Sequence, residues 1–535
     1  MSSQEAKVIG RGTWLDRVAH ELIEREKSLG RDTSILRVES GLGASGIPHI
    51  GSVGDAIRSY GVKMALETLG YKSELIAYSD DLDGLRKVPA GFPPSLKEYI
   101  AHPVTRIPDP FGCHSSFGAH TGGLLRSALD DLGISYTFMS GAEVYKKGLL
   151  NSQIKKILDN AALVGKMIKE LTGQEKYLTV LPYTPICEKC GRLYTTVVTS
   201  YDSAKGVVHY KCDSAEIGHA IVKGCGHEGE RKITEGEGKL VWKSEFAARW
   251  AALDIRFEAY GKDIAESVKI NDWISENVLG HPPPYHARYE MFQDKSGRKV
   301  SKSVGNVITI QDWLTYASPE SVRLLMFKRI VGARNISVDD VPVYMDEFDA
   351  LEDHYFSKKK DPNAMKEAKE RGLYEYTMML RVPERPDVHV PYRLLAELAS
   401  NAPGGAVEDY VVKRLVSYGI VKGAAPDLQV RIGWAAAWAK RGLVPGPPET
   451  VPATIAPSLL AFAASVKDAK TADQVQEAAF NAIRNNNVTP GEFFPAVYRV
   501  LLGAQKGPRL GPYVIDAGPS VVAEKLEKAI SEKSA

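Results

Sequence analysis

The sequence predicts an α/β protein with a Rossmann-type, doubly wound parallel sheet, followed by an all-helical carboxyl-terminal half. Strand-like and helix-like segments alternate through residues 1–306, which is typical of a parallel sheet covered by helices. From residue 318 onward the apolar residues recur mainly with helical spacing. The 535 residues are too many for one hydrophobic core, so we expect several domains.

The first strand, helix and strand are predicted near the amino terminus. Residues 34–40 have the apolar content of a buried strand, glycines follow it, and residues 51–69 have a helical pattern. Residues 73–79 form a second predicted strand. This order is one half of a doubly wound nucleotide-binding fold. The second half is predicted from a helix near 245–253, a strand near 255–260, and a further strand and loop over 289–306.

A polar stretch, residues 182–231, interrupts the alternation and is predicted to be an inserted module. It holds four of the five cysteines: Cys187, Cys190, Cys212 and Cys225. In a long chain such crowding points to metal, and four thiolates can close a structural zinc site. Only the first pair is a Cys-x2-Cys knuckle, so His219 or His227 could replace one of the later cysteines. Free cysteines are the alternative. Cys113 stands apart and is expected to be a buried or half-buried thiol.

The helical half begins with a clear helix start. Ser318 is placed as the N-cap, Pro319 at the first helical position and Glu320 in the first turn. Proline clusters at 382–386 and 444–448 interrupt the helical pattern that follows.

Composition excludes some classes of protein. Net charge is +2, from 68 basic and 66 acidic residues, whereas proteins that bind RNA by bulk charge are usually more basic. Any RNA contact must therefore come from locally arranged basic residues. There is no signal-peptide core and no apolar run of about 18 residues, so we expect a cytoplasmic protein without membrane contact.

Two motifs carry the chemistry. Residues 43–51, Gly-Ala-Ser-Gly-Ile-Pro-His-Ile-Gly, follow the first strand, where backbone amides and a histidine can face phosphate. Residues 297–306, Gly-Arg-Lys-Val-Ser-Lys-Ser-Val-Gly-Asn, place two lysines beside hydroxyls on a glycine-containing loop that can close over pyrophosphate. Each motif alone would more often be an ordinary turn or a solvated basic loop.

Together and in this order, the motifs resemble the paired signatures of class I aminoacyl-tRNA synthetases, His-Ile-Gly-His and Lys-Met-Ser-Lys-Ser. Here they are His49-Ile-Gly-Ser52 and Lys299-Val-Ser-Lys-Ser303. Ser52 keeps a hydrogen-bond donor where the family has a second histidine, but a potential cation is lost. Val300 in place of methionine is a mild change.

Other segments resemble the lysyl type of class I, which is typical of archaea and some bacteria. They are residues 79–89, 242–250, 257–263, 346–349, 354–356, 493–503 and 507–511. The resemblance covers almost the whole chain, with 365–480 recognisable only in outline. Family members commonly carry a histidine after Asp263, whereas this chain has Ile264.

The resemblance implies a lysine–tRNA ligase. ATP with Mg²⁺ would activate L-lysine as lysyl-adenylate, and the lysyl group would pass to the 3′-terminal adenosine of tRNA(Lys); activation would require bound tRNA. A catalytic domain (1–306), a stem-contact-like domain (307–365) and an anticodon-binding domain (366–535) would contact the acceptor stem and the anticodon, in a protein expected to be a monomer. Candidates for stacking on anticodon bases are Phe493, Phe494, Tyr498 and Arg509; the alternative is that some of these are simply core residues.

Site residues are assigned on the same basis. The catalytic candidates are His49, Lys299 and Lys302. The ATP-binding candidates are Gly46, His49, Gly51, Ser52, Asp263, Lys299, Ser301, Lys302 and Ser303. The lysine-binding candidates are Glu39, Gly41, Gly43, Asp80, Asp81 and Trp242. A lysine substrate needs an anion for its ε-ammonium, and the acidic loop after the second strand can supply one. Alternatively, these aspartates cap a turn or pair with Arg86 and Lys87, and Trp242 belongs to the core.

Three other functions compete. A glutamyl or glutaminyl enzyme of class I would need an arginine for the substrate carboxylate, which the acidic loop opposes. A small-molecule adenylyltransferase of the same superfamily would not need a long helical half. A tRNA-binding relative without activity is supported only by Ser52.

Overall fold

The structure, a computed structural model, describes residues 8–218, 220–294, 297, 308–402, 405–442, 451–503, 505 and 507–531. The chain divides into two compact units. Unit 1 comprises Met1–Ile310, Val322–Ile336 and Lys360–Val382, and unit 2 comprises Gln311–Ser321, Ser337–Lys359 and Pro383–Ala535. Within the described ranges, each helix is too short or too polar to cross a membrane.

The strands all lie in unit 1. They are β1 (Leu36–Leu42), β2 (Ser73–Ser79), β3 (Thr137–Ser140), β4 (Tyr183–Pro185), β5 (Thr196–Asp202), β6 (Val207–Cys212), β7 (Ala215–Ile217), β8 (Ala220–Val222), β9 (Glu228–Lys232), β10 (Gly238–Leu240), β11 (Ile255–Gly261), β12 (Tyr285–Tyr289), β13 (Phe292–Gln293) and β14 (Arg334–Asn335), as far as the described residues show.

The α-helices run through both units. They are α1 (Trp14–Ser28), α2 (Gly54–Thr68), α3 (Phe117–Asp131), α4 (Gly141–Lys146), α5 (Asn151–Asp159), α6 (Ala161–Thr172), α7 (Trp242–Leu253), α8 (Ala265–Asn277), α9 (Ile310–Leu314), α10 (Pro319–Phe327), α11 (Val341–Phe356), α12 (Ala364–Thr377), α13 (Tyr392–Ser400), α14 (Val407–Ser417), α15 (Pro426–Ala439), α16 (Ala456–Val466), α17 (Ala472–Asn485), α18 (Pro490–Leu502), α19 (Leu510–Ala517) and α20 (Pro519–Ser531).

The centre of unit 1 is a five-stranded parallel sheet with the order β12-β11-β1-β2-β3. The chain moves outward from β1 through β2 to β3, and later returns to the other side of β1 with β11 and β12. The strand order therefore reverses between β1 and β11. In open sheets of this kind ligands bind outside the carboxyl ends of the strands at such a reversal, which puts the candidate site after Leu42 and Gly261.

Strand and helix bounds follow from the sequence pattern. β1 and β11 are almost continuously buried, as expected of central parallel strands covered on both faces. α1 begins with a capping box, in which the Thr13 hydroxyl accepts from the Asp16 amide and the Asp16 carboxylate accepts from the Thr13 amide. Such caps satisfy amide groups that a helix start leaves unpaired.

The inserted module is a set of small antiparallel sheets. β5, β6 and β9 form one sheet, β7 and β8 form a hairpin, and β10 pairs with β4. Because β4 and β10 lie side by side, the module leaves and rejoins the α/β core at one place. The predicted insertion over 182–231 thus ends about ten residues too early.

The doubly wound sheet and the helical half agree with the sequence. The Ser318 hydroxyl accepts from the Ser321 amide at 3.3 Å, as its predicted N-cap role requires. The predicted strand and loop over 289–306 contains the short strand β13, but the last strand of the central sheet, Tyr285–Tyr289, comes before it and was missed because Pro282, Pro283 and Pro284 hid its start. Residues 295–296 and 298–307 lie outside the described part of the chain.

Candidate functional site

The turn that contains His49 lies between β1 and α2, beside the strand reversal. The Ser52 amide donates to the His49 carbonyl at 2.7 Å, and the His49 amide donates to the Ser52 hydroxyl oxygen at 3.3 Å. The Gly51 amide donates to His49 Nδ1 at 3.1 Å. Since Nδ1 accepts this hydrogen bond, a neutral His49 carries its proton on Nε2. The ring is therefore set up as a donor through Nε2.

Gly51 allows this geometry. A Cβ atom at this position would lie 2.9 Å from two atoms of the His49 ring, closer than real Cβ contacts permit. Ser52 fastens the turn through its hydroxyl group, and Gly46 is buried in the same connection. The second signature cannot be placed in the same way: Lys299, Ser301, Lys302 and Ser303 lie outside the described residues.

A buried arginine, Arg249 on α7, gathers three carboxyl groups from the sheet. Its Nε lies 2.5 Å from Glu39 Oε1, and its Nη1 lies 3.2 Å from Asp80 Oδ1. Its Nη2 lies 3.4 Å from Glu258 Oε1. The guanidinium carbon is 4.4 Å from the centre of the Tyr78 ring. Arg249 thus joins carboxyls from β1, from β11 and from the loop after β2.

A second cation, Lys239, stands beside this group. Its ammonium is paired with Asp83 and lies 2.7 Å from Glu245 Oε2. Asp83 also accepts a hydrogen bond from Trp242 Nε1 at 3.1 Å, and Glu245 accepts one from the Tyr145 hydroxyl at 2.9 Å. We call the whole set the carboxyl cluster; it consists of Glu39, Asp80, Asp83, Glu245, Glu258, Arg249 and Lys239.

The carboxyl cluster has more acids than cations: five carboxyl groups share two positive side chains. Burial raises the pKa of Glu39 well above its ordinary value, although Arg249 opposes the shift. Burial likewise raises the pKa of Asp80 to about 7 against the same guanidinium. Apart from the ion pair between its Oε1 and Arg249, Glu39 has no hydrogen-bond partner for its carboxylate among the described residues. A further cation would therefore be stabilised here.

Five of the six predicted lysine-binding residues fall in three places. Glu39 and Asp80 meet at Arg249, and a Cβ on Gly41 would lie 3.8 Å from both Arg249 Nη2 and Asp80 Oδ2. Gly43 is exposed and has open space beside it. Trp242 reaches the cluster through Asp83.

Two predicted residues stand apart from the cluster. Asp81 Oδ1 accepts from the Ala142 amide at 2.8 Å and thus caps the first turn of α4, the alternative considered for these aspartates. Asp263 is exposed in the turn after β11, at the strand reversal. Neither Arg86 nor Lys87 pairs with an aspartate of the loop in the ion pairs that the described residues form.

Sequence reasoning missed Arg249, Lys239, Glu245 and Glu258. Glu245 and Arg249 are four residues apart in an otherwise apolar and aromatic stretch of α7. A charged pair on the buried face of a helix is uncommon, and this pair was the feature of the sequence that could have indicated the carboxyl cluster.

The four module cysteines converge. Sγ of Cys187 lies 3.6 Å from Sγ of Cys225, and Sγ of Cys190 lies 3.7 Å from Sγ of Cys212. All four sulfur atoms lie within 4.8 Å of one another. Ligands about 2.3 Å from a tetrahedral zinc ion are about 3.8 Å apart, so the set fits that ion. His227 is not among the ligands, because it pairs with Glu188, and His219 lies outside the described residues.

A second group that could hold a metal ion was not predicted. It consists of Asp109, Cys113, His114 and His120, whose ligand atoms also lie within 4.8 Å of one another. Cys113 Sγ is 3.1 Å from His114 Nδ1 and 3.2 Å from His120 Nδ1. The expectation of a buried or half-buried Cys113 is wrong: the residue is exposed. The signal was the run Asp-x3-Cys-His-x5-His, which mixes ligand types and so escapes a search for cysteine pairs.

The aromatic candidates in unit 2 are mostly core residues. Phe493 is fully buried, and Tyr498 is buried with its hydroxyl donated to the Pro508 carbonyl. For these two residues the core alternative therefore holds, since an α18 side chain that fills the core cannot also face RNA. Phe494 is half-buried and Arg509 is exposed.

Comparison with known proteins gives a consistent result. The family model described as class I tRNA synthetases (K) matches residues 12–379. The chain is 48 % identical to a lysine–tRNA ligase of Cenarchaeum symbiosum over 97 % of this chain and 98 % of that protein. It is 31 % identical to a lysine–tRNA ligase of Rickettsia felis, with 89 % of each chain covered, and 30 % identical to one of Halobacterium salinarum, with 97 % of each covered.

Proposed function

Since the chain belongs to the class I tRNA synthetases (K), we propose that it is a lysine–tRNA ligase, which activates L-lysine with ATP and transfers it to tRNA(Lys). The relatives that match over nearly their full length carry the same name. This work belongs to translation, so a cytoplasmic location is part of the proposal.

The observation that carries the lysine assignment is the acid excess of the carboxyl cluster. A lysine substrate brings an ε-ammonium and an α-ammonium, and five buried or half-buried carboxyls that share two cations can accept them. Glu39 and Asp80 are the proposed acceptors, because burial raises the pKa of both and a nearby cation would restore their charge. Gly41 leaves room beside them.

The same cluster argues against a glutamyl or glutaminyl enzyme. Such an enzyme would need a free cation for the substrate side chain, whereas Arg249 is committed to three carboxyl groups. Lys239 is committed to two more. A substrate carboxylate would find no free cation there and would lie among other carboxyl groups, which do not stabilise its charge.

The proposed chemistry needs positioning rather than covalent catalysis. A carboxylate oxygen of lysine attacks the α-phosphorus of ATP, and the bond to the bridging oxygen breaks so that pyrophosphate leaves. His49 donates from Nε2 to the phosphate, and Lys299 and Lys302 neutralise the leaving group. A terminal ribose hydroxyl of tRNA then attacks the carbonyl carbon, and AMP leaves.

Two metals belong to the proposal. Mg²⁺ accompanies ATP, as it does for nucleotide triphosphates generally. Zn²⁺ bound by Cys187, Cys190, Cys212 and Cys225 would be structural, because four protein ligands leave no open position for substrate.

Aminoacylation of unfractionated tRNA with each of the twenty amino acids tests the proposal. We expect charging with lysine alone, and tRNA must be present in the assay because the family requires it before activation. Charging with glutamate would overturn the lysine assignment, and adenylate formation without charging would support an adenylyltransferase. Lys302→Ala should lose most activation, whereas Lys205→Ala, an exposed lysine in the inserted module, should not.

A further inference from the structure

The inserted module is joined by backbone hydrogen bonds to the loop that carries the acidic residues. Three short segments lie side by side: residues 83–85, 101–104 and 190–193. The Ala101 amide donates to the Leu85 carbonyl at 2.8 Å, and the Leu85 amide donates to the His102 carbonyl at 2.9 Å. The Leu193 amide donates to the Ala101 carbonyl at 2.7 Å. The middle segment therefore ties the cysteine knuckle to the acidic loop.

His102 supplies the side-chain part of this connection. Its Nε2 lies 2.9 Å from the carbonyl oxygen of Cys190, so Nε2 is the protonated nitrogen and donates. Its other nitrogen, Nδ1, is buried without a hydrogen-bond partner among the described residues. The one side-chain hydrogen bond that His102 makes among the described residues thus goes to the backbone of Cys190, one of the four clustered cysteines.

Side-chain packing keeps the three segments in register. A Cβ on Gly84 would lie 2.7 Å from the Tyr194 ring and 3.2 Å from the Ala101 carbonyl oxygen, so this position has no room for a side chain. Arg86 lies over the same tyrosine ring, with its guanidinium carbon 5.2 Å from the ring centre. The acidic loop is pressed directly against the module.

The connection ends in the carboxyl cluster. The Val104 amide donates to the Asp83 carbonyl at 2.9 Å, and the Asp83 amide donates to the Asp80 carbonyl at 3.1 Å. Asp83 in turn holds Lys239 and accepts from Trp242 Nε1. A continuous set of contacts therefore runs from Cys190 through His102 to Asp80 and Asp83.

From this geometry we propose that the inserted module, which contains the four cysteines, positions the amino-acid pocket. His102 is the positioning residue between the module and the pocket. His102 acts through the backbone of residues 83–85 and does not touch substrate. The proposal rests on the proposed function, because it assigns the acidic loop to lysine binding. It predicts a residue that controls the KM for lysine from outside the pocket.

Three variants test the proposal. His102→Ala removes the hydrogen bond to Cys190, and His102→Gln can restore it through its side-chain amide. His209→Ala is the matched control, because His209 is an exposed histidine on β6 of the same module, 3.8 Å from Glu230. The measurements are kcat and KM for lysine and for ATP, bound metal per chain, and hydrogen exchange of peptides that cover 83–104 and 187–193.

We expect His102→Ala to raise the KM for lysine by about tenfold, the usual scale for partners one layer outside a site, with the KM for ATP and bound metal unchanged. Exchange at Leu85 and Val104 should increase. His102→Gln should recover most of both effects, and His209→Ala should resemble the parent protein.

Other outcomes overturn the proposal. Equal increases of KM for lysine and for ATP would mean a general loss of structure. Faster exchange confined to 187–193, or a His102→Gln variant as impaired as His102→Ala, would remove the role of the hydrogen bond. If the parent protein charges no lysine, the proposed function fails, while the exchange measurement still decides whether His102 holds the acidic loop.

Discussion

Unit 1 and unit 2 each contain a group of carboxyl groups around a buried arginine. The two groups differ in how far cations balance the carboxyl groups. In unit 2, Arg431 pairs with Asp349. His389 contacts Glu352 through Nε2 at 2.7 Å and Asp353 through Nδ1 at 2.9 Å. Both ring nitrogens face carboxylates, so His389 is a cation. These pairs fasten α11 to the segment before α13 and to α15.

In the carboxyl cluster of unit 1, the cations balance a smaller share of the acids. Five carboxyl groups share two cations there, against three carboxyl groups and two cations in unit 2, and the cluster includes residues of β1 and β11, the two strands at the reversal. Burial of charge is common to both groups. The larger excess of acids, at the strand reversal, is what distinguishes a candidate binding site from a structural one.

The largest expected effect is on stability, and it should differ between Arg249 of unit 1 and Arg431 of unit 2. Arg249→Met leaves three buried carboxyls without their shared cation and should lower the free energy of unfolding by about 3–5 kcal/mol. Arg431→Met should cost less, because His389 still lies 4.0 Å from Asp349. Urea unfolding measures both. An equal or larger loss for Arg431→Met would break the comparison.

A pair of aspartate substitutions should divide function from structure. Asp80→Asn removes a proposed anion for lysine and should raise the KM for lysine by about 10- to 100-fold, the scale of a charged hydrogen bond. Asp349→Asn should leave that KM unchanged and lower stability instead, since Asp349 holds Arg431. Steady-state aminoacylation and urea unfolding of both variants give the result. A lysine KM that responds to Asp349→Asn would remove the distinction.

The two groups should also respond to pH in different ranges. Burial raises the pKa of Asp80 to about 7, so its ionised fraction, and with it lysine affinity, should rise from pH 6 to pH 8. The KM for lysine should fall by up to about tenfold over this range. Asp80→Asn should flatten the profile, and an unchanged profile in that variant would assign the dependence to another group.

For His389, burial lowers the pKa, but Glu352 and Asp349 outweigh it and raise the pKa to about 9. Because the folded-state pKa is above the unfolded value near 6.5, the stabilisation is complete below pH 6.5 and is lost as pH rises through 9. Unit 2 should therefore lose about 1–3 kcal/mol between pH 7 and pH 10. His389→Gln should abolish this loss in urea unfolding, and a loss that persists would contradict the assignment.

The smallest effect concerns two tryptophans. Trp242→Phe removes the hydrogen bond to Asp83 and should raise the KM for lysine by about two- to tenfold. Trp438→Phe removes a comparable bond to the Val338 carbonyl in unit 2 and should affect stability alone. Kinetics of both variants compare them directly. A Trp438→Phe variant with a raised lysine KM would show that the effect is not specific to the pocket.

Local pattern predicted much of the fold. The strand at 73–79, the helix start at Ser318 and the glycine-rich turn around His49 depend on residues close in sequence, so the sequence alone identified them. The four cysteines were also visible as a set. Their convergence requires the module to fold, but the choice of residue type is already restrictive.

The rest depends on contacts between distant segments. Glu39, Asp80 and Glu258 meet Arg249 only because β1, β2 and β11 are neighbours in the sheet. No local pattern encodes that meeting. The aromatic residues of α18 were misjudged for the same reason: whether Phe493 faces solvent or the core is decided by the helices that pack on it.

The strand order has a consequence for synthesis of the chain. Arg37 of β1 pairs with Ile255 of β11, roughly 200 residues later, so the central strand must wait for most of unit 1 to leave the ribosome. The inserted module closes on itself through β4 and β10 and can fold while the sheet is still incomplete. A nascent chain can therefore complete the module, with its four cysteines brought together, while β11 and β12 have still to join the sheet.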